Sequence, residues 1–285
     1  MIRILTDSTA DITPDLARQW QVEVVPLQVN FGEETFQDGI DLTSEEFYQR
    51  LESCDKLPTT SQPSPEAFAS RFSQAAEAGD EVVAVLLSSH LSGTLQAATI
   101  AAEDYPGIHI VDSGSVTLGL QLLVKLAVQL RDSGLSADEI VARLEEVRGR
   151  LRIFAVVNDL KYLRKGGRLS GASAFAGTLL GIKPVIQVAD GKVGLAGKAR
   201  GMPGAYVALF KLLDSCGGID ITRDFMVGYT GSHKACEPIL RYLVHNLGLP
   251  RCETGHIGTV VGTHAGPGAA GIAFFCSEEA EEEQE

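Results

Sequence analysis

The sequence predicts an α/β protein in two parts: a doubly wound first half on a parallel sheet, then a two-layer domain with a mixed sheet. Three observations predict it. Up to about residue 150, short apolar runs alternate with amphipathic stretches, the pattern of parallel strands covered by helices. Beyond Gly149 the texture changes, and two apolar runs flank Asp190-Gly191, a hairpin signal. The 285 residues are 45% hydrophobic, enough to build one large or two modest α/β domains. No Pro/Ser/Gly-rich linker separates the halves, so they are expected to pack closely. The expected divisions are 1–150, 151–276 and a low-complexity acidic tail, expected to be disordered, at 277–285.

Residues 2–6 read as a strand, 14–20 as a helix with proline in its first turn, and 22–29 as a second strand. Residues 31–36 form a small excursion. Thr43 or Ser44, ahead of Glu45 and Glu46, caps a helix running to about Cys54. The segment 58–65 holds three prolines in eight residues and is expected to be irregular. Pro65 then opens a helix to about residue 78. A strand at 81–87, a helix at 92–103, a strand at 108–112 and helices at 116–131 and 136–149 complete this half. In the second half, strands are predicted at 153–157, 185–188, 193–196, 225–229 and 271–275. Helices are predicted at 159–163, 205–213 and 234–246.

The net charge is −13, and six glutamates in the last eight residues account for nearly half of it. The remaining −7 disfavours bulk electrostatic binding to nucleic acid or anionic lipid. The opening MIRILTDST lacks a basic segment followed by an apolar one, so no secretory signal is expected there. No window approaches 18 consecutive apolar residues, so no transmembrane segment is expected. The five cysteines, Cys54, Cys216, Cys236, Cys252 and Cys276, are odd in number, scattered and without a CxxC pair. That pattern suits reduced thiols in a cytoplasm rather than a disulfide framework or a zinc site.

Several motifs carry chemistry. Ser88 to Thr94, SSHLSGT, follows a buried-looking strand and precedes a helix, where free N–H groups can hold a carboxylate or phosphate. Ser92 and Thr94 add hydroxyls, and Gly93 allows close approach; plain helix capping is the alternative. Thr59-Thr60-Ser61-Gln62 offers four donors stiffened by flanking prolines, or simply a polar surface turn. Asp7 and Asp112 sit at predicted strand ends, where turn capping competes with metal binding or base catalysis. Lys161, Arg164, Lys165 and Arg168 concentrate cations around Gly166-Gly167, as a helix end or as a contact for an acidic or phosphate-bearing partner. His264 stands among three glycines and a proline, so exposed backbone is expected around it, with His256 a second candidate. No P-loop, dinucleotide fingerprint or GxSxG elbow occurs, but a hydrolase or other small-molecule enzyme built on Ser92 and His264 remains an alternative.

Seven segments in order resemble the DegV family of bacterial fatty-acid-binding proteins: ILTDSTADI (4–12), PTTSQPSPEAF (58–68), SSHLSGT (88–94), VDSGSVTLG (111–119), LKYLRKGGRLSG (160–171), GIKPVIQV (181–188) and HIGTVVGTHAGPG (256–268). The resemblance spans the chain except its acidic tail. It implies a Rossmann-like α/β/α first domain, a two-layer second domain and a long-chain fatty acid held between or beneath them. By the same resemblance, Thr60 and Ser92 bond the carboxylate, the Gly93 backbone lies nearby, and His264 completes the polar network. Ser61 and Thr94 are neighbouring polar groups. Arg200 is the implied contact for a partner, an ATP-dependent fatty acid kinase subunit that converts the carboxylate to acyl phosphate; Arg168 is a second basic candidate. No cofactor is implied, and any membrane contact would be transient, for lipid exchange. A regulatory module that senses fatty acid would share this site.

Overall fold

The computed structural model describes residues 1–171, 181–249 and 252–277. In chain order its elements are β1 (Ile2–Asp7), α1 (Pro14–Trp20), β2 (Val22–Val25), β3 (Gln28–Phe31), β4 (Glu34–Gln37), α2 (Ser44–Ser53), β5 (Thr59–Ser61), α3 (Pro65–Ala78), β6 (Glu81–Leu86), α4 (Thr94–Ala102), β7 (Ile108–Asp112), α5 (Thr117–Asp132) and α6 (Ala137–Arg148). The second half adds β8 (Leu151–Val156), α7 (Lys161–Lys165), β9 (Ile182–Ala189), β10 (Lys192–Arg200), α8 (Gly201–Ser215), β11 (Met226–Tyr229), α9 (Glu237–His245), β12 (Thr254–His256), α10 (Thr259–Ala265) and β13 (Ala270–Phe275).

The first half builds a four-stranded parallel sheet in the order β2-β1-β6-β7. Its central strand β6, Glu81–Leu86, is buried at every position after the first, as a strand covered on both faces must be. The second half builds a six-stranded mixed sheet in the order β10-β9-β8-β13-β11-β12, antiparallel except where β11 meets β12. Asp190 and Gly191 join β9 to β10 with φ of 50° and 75°, the left-handed pair that a tight hairpin turn requires. Alternation along β8 sorts its side chains. Phe154 and Val156 pack with Leu209 of α8, Ile239 of α9 and Phe274 of β13. On the other face, Leu151 and Ile153 lie under α5, close enough that a β-carbon at Gly119 would meet both. A helix of the first half therefore covers the sheet of the second, and one hydrophobic cluster runs from Ile4 and Val83 to Ile153 and Ile186.

Two expectations fail for a common reason. The run 22–29 is not one strand: Pro26 breaks it, leaving Val22–Val25 in the parallel sheet and Gln28–Phe31 in a small antiparallel sheet, β4-β3-β5. The proline-rich segment is not irregular throughout, because Thr59–Ser61 pairs with β3, setting Thr60 opposite Val29. Its prolines flank the strand and remove no donor from it. Helix starts also move, among them that of α9, from 234 to Glu237. The Asp159 carboxylate accepts the Lys161 N–H at 2.8 Å, so that helix is Lys161–Lys165. Helix α8 begins at Gly201, with Pro203 in the first turn, where no intrahelical partner is lost. The acidic stretch 278–285 lies outside the described residues.

Candidate functional site

A cavity of about 330 Å³ lies between the two halves. Ala155 and Val157 continue the β8 face beyond α5 and form one wall, with Ile186 of β9; Leu87 and Val116 close it from the first half and Val260 from α10. Its polar lining comes together from distant segments. Thr60 Oγ1 and His264 Nε2 share a hydrogen bond of 3.0 Å. Arg168 Nε donates to the Leu91 carbonyl at 3.1 Å, one residue before Ser92. Gln62 folds over Gly93, so that a β-carbon on Gly93 would fall 2.1 Å from Gln62 Oε1. Thr60, Ser61, Gln62, Ser92, Arg168 and His264 all line the cavity.

Helix α10 positions the histidine, and the carboxylates of half-buried Asp11 and buried Asp38 position α10. Asp11, just after β1, accepts the Gly258 N–H at 3.0 Å and the Thr117 hydroxyl. Asp38, after β4, accepts the Thr259 hydroxyl at 2.6 Å and its N–H at 3.3 Å. Burial raises the pKa of both carboxyls, well above the ordinary range for Asp11. Thr117 takes a left-handed φ of 48°, a strained conformation for a β-branched residue, and lines the cavity. At the other end of α10, a β-carbon at Gly266 would stand 2.3 Å from the Tyr162 ring of α7, and Gly266 itself has φ 74°. Midway, Gly262 lies beneath the Tyr48 hydroxyl, which donates to the Ile257 carbonyl at 3.1 Å.

These close approaches correct the expectation of exposed backbone around His264. Gly262 and Gly266 are glycines of tight packing, and His264 faces the cavity with Nδ1 fully buried and without a hydrogen-bond partner. Burial first, then the nearby Arg168 cation, lowers its pKa to about 4, so the imidazole is neutral at pH 7. His256 does not line the cavity; it is packed between the rings of Tyr48 and Tyr229, at centroid distances of 5.7 and 5.1 Å.

The remaining candidates divide between lining and support. Ser92 lines the cavity; its Oγ lies 2.9 Å from Thr94 Oγ1 and accepts the Thr94 N–H at 3.3 Å, while Gly93 is the N-cap of α4 and Thr94 is wholly buried. The Ser61 hydroxyl accepts from Asn30 Nδ2 at 2.9 Å. Ser88 donates to the Gly191 carbonyl at 2.8 Å, tying the SSHLSGT loop to the hairpin of the second half, and Ser89 donates to Asp112. Asp7 accepts the Leu87 and Thr9 N–H groups at 2.8 and 3.0 Å, a turn-capping role. Among the described residues, no three His, Cys, Asp or Glu side chains are grouped to hold a metal ion. Arg168, offered as a partner contact, lines the cavity; Arg200 is exposed at the N-cap of α8 and does not. Sequence reasoning left Gln62 in its donor stretch without placing it in the site. It also missed every apolar wall residue, since lining and core side chains share one hydrophobic signature.

Gly166 offers a direct test of the cluster. Its φ of −75° suits any residue, yet a β-carbon there would stand 2.1 Å from His264 Nδ1. Gly166→Ala is expected to leave the melting temperature within a few degrees and push the imidazole off Thr60. Loss of the Thr60 coupling in histidine-detected NMR would report it; an unchanged spectrum would refute the packing.

A family model described as "Uncharacterised protein, DegV family" matches residues 1–277. A DegV domain-containing protein of Deinococcus radiodurans is 38% identical over 278 residues, covering 96% of this chain and 98% of its own. The solved structure described as fatty acid binding of a DegV family protein from Thermus thermophilus superposes with a TM-score of 0.88 at 34% identity, covering 97% and 99% of the two chains. A stearic acid-binding protein from Eubacterium ventriosum superposes at 0.85 with 32% identity, covering 96% and 98%. Matched over residues 1–277 by the family model and over nearly its whole length by relatives in sequence and in fold, the chain belongs to the DegV family.

Proposed function

We propose that this protein is a carrier that binds a long-chain fatty acid in the cavity between its halves and presents the carboxylate to an ATP-dependent kinase subunit, which converts it to acyl phosphate. One observation carries the reading: an apolar cavity between the halves whose polar lining, Thr60, Ser92, Arg168 and His264, gathers in one cluster. Two solved relatives described as fatty-acid-binding support it. Burying about fourteen methylenes at about 0.8 kcal/mol each supplies roughly 11 kcal/mol before association costs. A neutral hydroxyl bond adds only about 0.5–1.5 kcal/mol net. The chain of the lipid then supplies affinity, and the polar cluster sets the direction of its carboxylate.

The chemistry of His264 favours a carrier over a hydrolase. A triad base needs a carboxylate or similar acceptor on its second ring nitrogen and a pKa near neutrality. Here Nδ1 has no partner, and the pKa is driven down to about 4. Arg200, exposed on the outer edge of the second sheet, is offered as a contact for the kinase.

Denaturing organic extraction of freshly purified protein, followed by mass spectrometry of the lipid fraction, tests the reading. Near-stoichiometric fatty acid is expected; a lipid-free extract from protein that also takes up no added fatty acid would overturn it. For the kinase step, Ser92→Ala is expected to weaken lipid retention severalfold and reduce kinase-coupled turnover by about two orders of magnitude. Equal losses in both would reject that division of labour.

A further inference from the structure

The cavity shares a wall with a second one. A groove of about 460 Å³ lies beyond the start of α10, with Ile12, Pro14, Ala17, Val24 and Leu42 among its apolar lining. It also includes exposed Gly39 and Ile40, so it opens to solvent. The wall between the two is one residue thick. Along each segment that forms it, neighbours face opposite ways: Ser8 lines the groove and Thr9 the cavity, Pro26 the groove and Leu27 the cavity. Likewise Gly258 and Thr259 line the groove, while Ile257 and Val260 on either side of them line the cavity. Hydrogen bonds stitch these segments together. The Leu27 N–H donates to Ser8 Oγ at 3.0 Å, the Asp38 N–H to the Leu27 carbonyl at 2.9 Å, and the Gly258 N–H to Asp11 at 3.0 Å.

At one place two side chains meet across this wall. Thr117 lines the cavity, Asp11 lines the groove, and the Thr117 hydroxyl donates to the Asp11 carboxylate between them. Elsewhere consecutive residues of one segment face the two spaces, so backbone itself is the barrier and no substitution removes it. Thr117 is buried and holds a φ of 48°, a conformation that strains a β-branched residue and suits glycine. Its position along the cavity matters as well. His264 of the polar cluster stands near the end of α10, whereas Asp11 binds Gly258, the N-cap of that helix. The seven residues of α10 span roughly 10 Å, which sets the Thr117 wall about a helix length from the polar cluster.

We propose that Thr117, held by Asp11, is the stop that sets the longest acyl chain this protein accepts. The inference rests on the carrier reading above. With its carboxylate at Thr60, Ser92 and His264, a fatty acid runs along α10 and its methyl end meets Thr117. A longer chain finds backbone on either side and the Thr117–Asp11 contact ahead. It must buckle, or draw its carboxylate off the polar cluster. Glycine at 117 removes the side chain that closes the wall and relieves the backbone, while Asp11 keeps the Gly258 N–H. The methyl end then enters the apolar groove and buries methylenes for which the wild-type cavity has no room.

The test offers delipidated full-length protein an equimolar mixture of myristic, palmitic, stearic, arachidic and behenic acids, whose neighbours differ by two methylenes. The bound acids are extracted and quantified by mass spectrometry. Wild type should show a sharp cut-off in length. In Thr117→Gly, the first acid beyond that cut-off should gain at least about tenfold over the last acid before it, since each methylene buried is worth about fourfold. Thr117→Asn, which suits left-handed backbone and still offers a donor to Asp11, should keep the wild-type cut-off. Adding Ala17→Phe to Thr117→Gly fills the groove and should restore it. An unmoved cut-off in folded Thr117→Gly protein would overturn the proposal, as would the same shift in Thr117→Asn or a shift that Ala17→Phe leaves unchanged. One measurement needs no variant. The longest accepted acid, carrying a diazirine at its methyl end and irradiated in complex with wild type, should label Thr117 or Ile257; label confined to other cavity residues would overturn the proposal even where the variants fold poorly. Wild type that takes up none of the acids would instead overturn the carrier reading, and this one with it.

Discussion

Ala155→Phe is expected to empty the cavity of lipid while leaving the protein folded. Ala155 stands on the cavity face of β8, opposite Ile186 of β9 and Gly271 of β13, and its small side chain leaves the wall open. Inserting a ring into a packed core costs about 1–3 kcal/mol. Here the ring enters a void of about 330 Å³, so that cost falls and new apolar contacts replace it. Fatty acid recovered by extraction should drop at least about tenfold, since ligand and ring compete for one volume. The ligand's stabilisation should vanish with it. At a free ligand concentration of about one hundred times Kd, wild type gains roughly 2.7 kcal/mol, readable as a rise in melting temperature. Undiminished lipid in a folded Ala155→Phe protein would mean that the acyl chain lies elsewhere.

The second large effect is on acid stability. His264 is held at a folded-state pKa of about 4 against an ordinary value of 6.5. Between those values the unfolded chain binds the proton and the folded chain does not, so stability falls as pH falls through that window. The full loss below pH 4 is roughly 3 kcal/mol, from about 2.5 units at about 1.36 kcal/mol each. Asp7, Asp11 and Asp38 act with the opposite sign. Burial raises their folded-state pKa, so the folded form binds their protons more readily and gains stability on acidification toward the ordinary carboxyl range. The histidine contribution is therefore read as a difference. Lipid-free His264→Gln should lose less stability than wild type between pH 7 and pH 4, by roughly 3 kcal/mol. Urea titrations at each pH measure it. Parallel curves would show that the imidazole titrates normally and is not desolvated. Added fatty acid should shrink the gap, because a carboxylate beside the imidazole favours its charged form.

Much of this architecture was legible without coordinates because the signals are local. Buried β6 reads as a continuous apolar run, Asp190-Gly191 as a hairpin turn, and Thr43 or Ser44 as the cap of a helix, which the structure assigns to Thr43. The errors arose where a local rule met a distant partner. Prolines at 58 and 63 argued for irregular chain, yet β3 recruited Thr59–Ser61 into a sheet. Glycines around His264 argued for exposure, yet Gly262 and Gly266 admit the rings of Tyr48 and Tyr162.

The sequence alone determined the α/β class, the strand-to-helix junction that carries Ser92, and a set of motifs resembling one family. Tertiary structure decided which of those residues share a site. Thr60 and His264 are 204 positions apart and touch because β5 and α10 are placed separately, the one by pairing with β3, the other by the carboxylates of Asp11 and Asp38. It also decided which apolar residues line a void. Ile153 and Ala155 sit on one face of one strand, and only the reach of α5 over the first and not the second makes one core and the other wall. Periodicity records which face a side chain points to; it carries no record of whether another element arrives to fill the space.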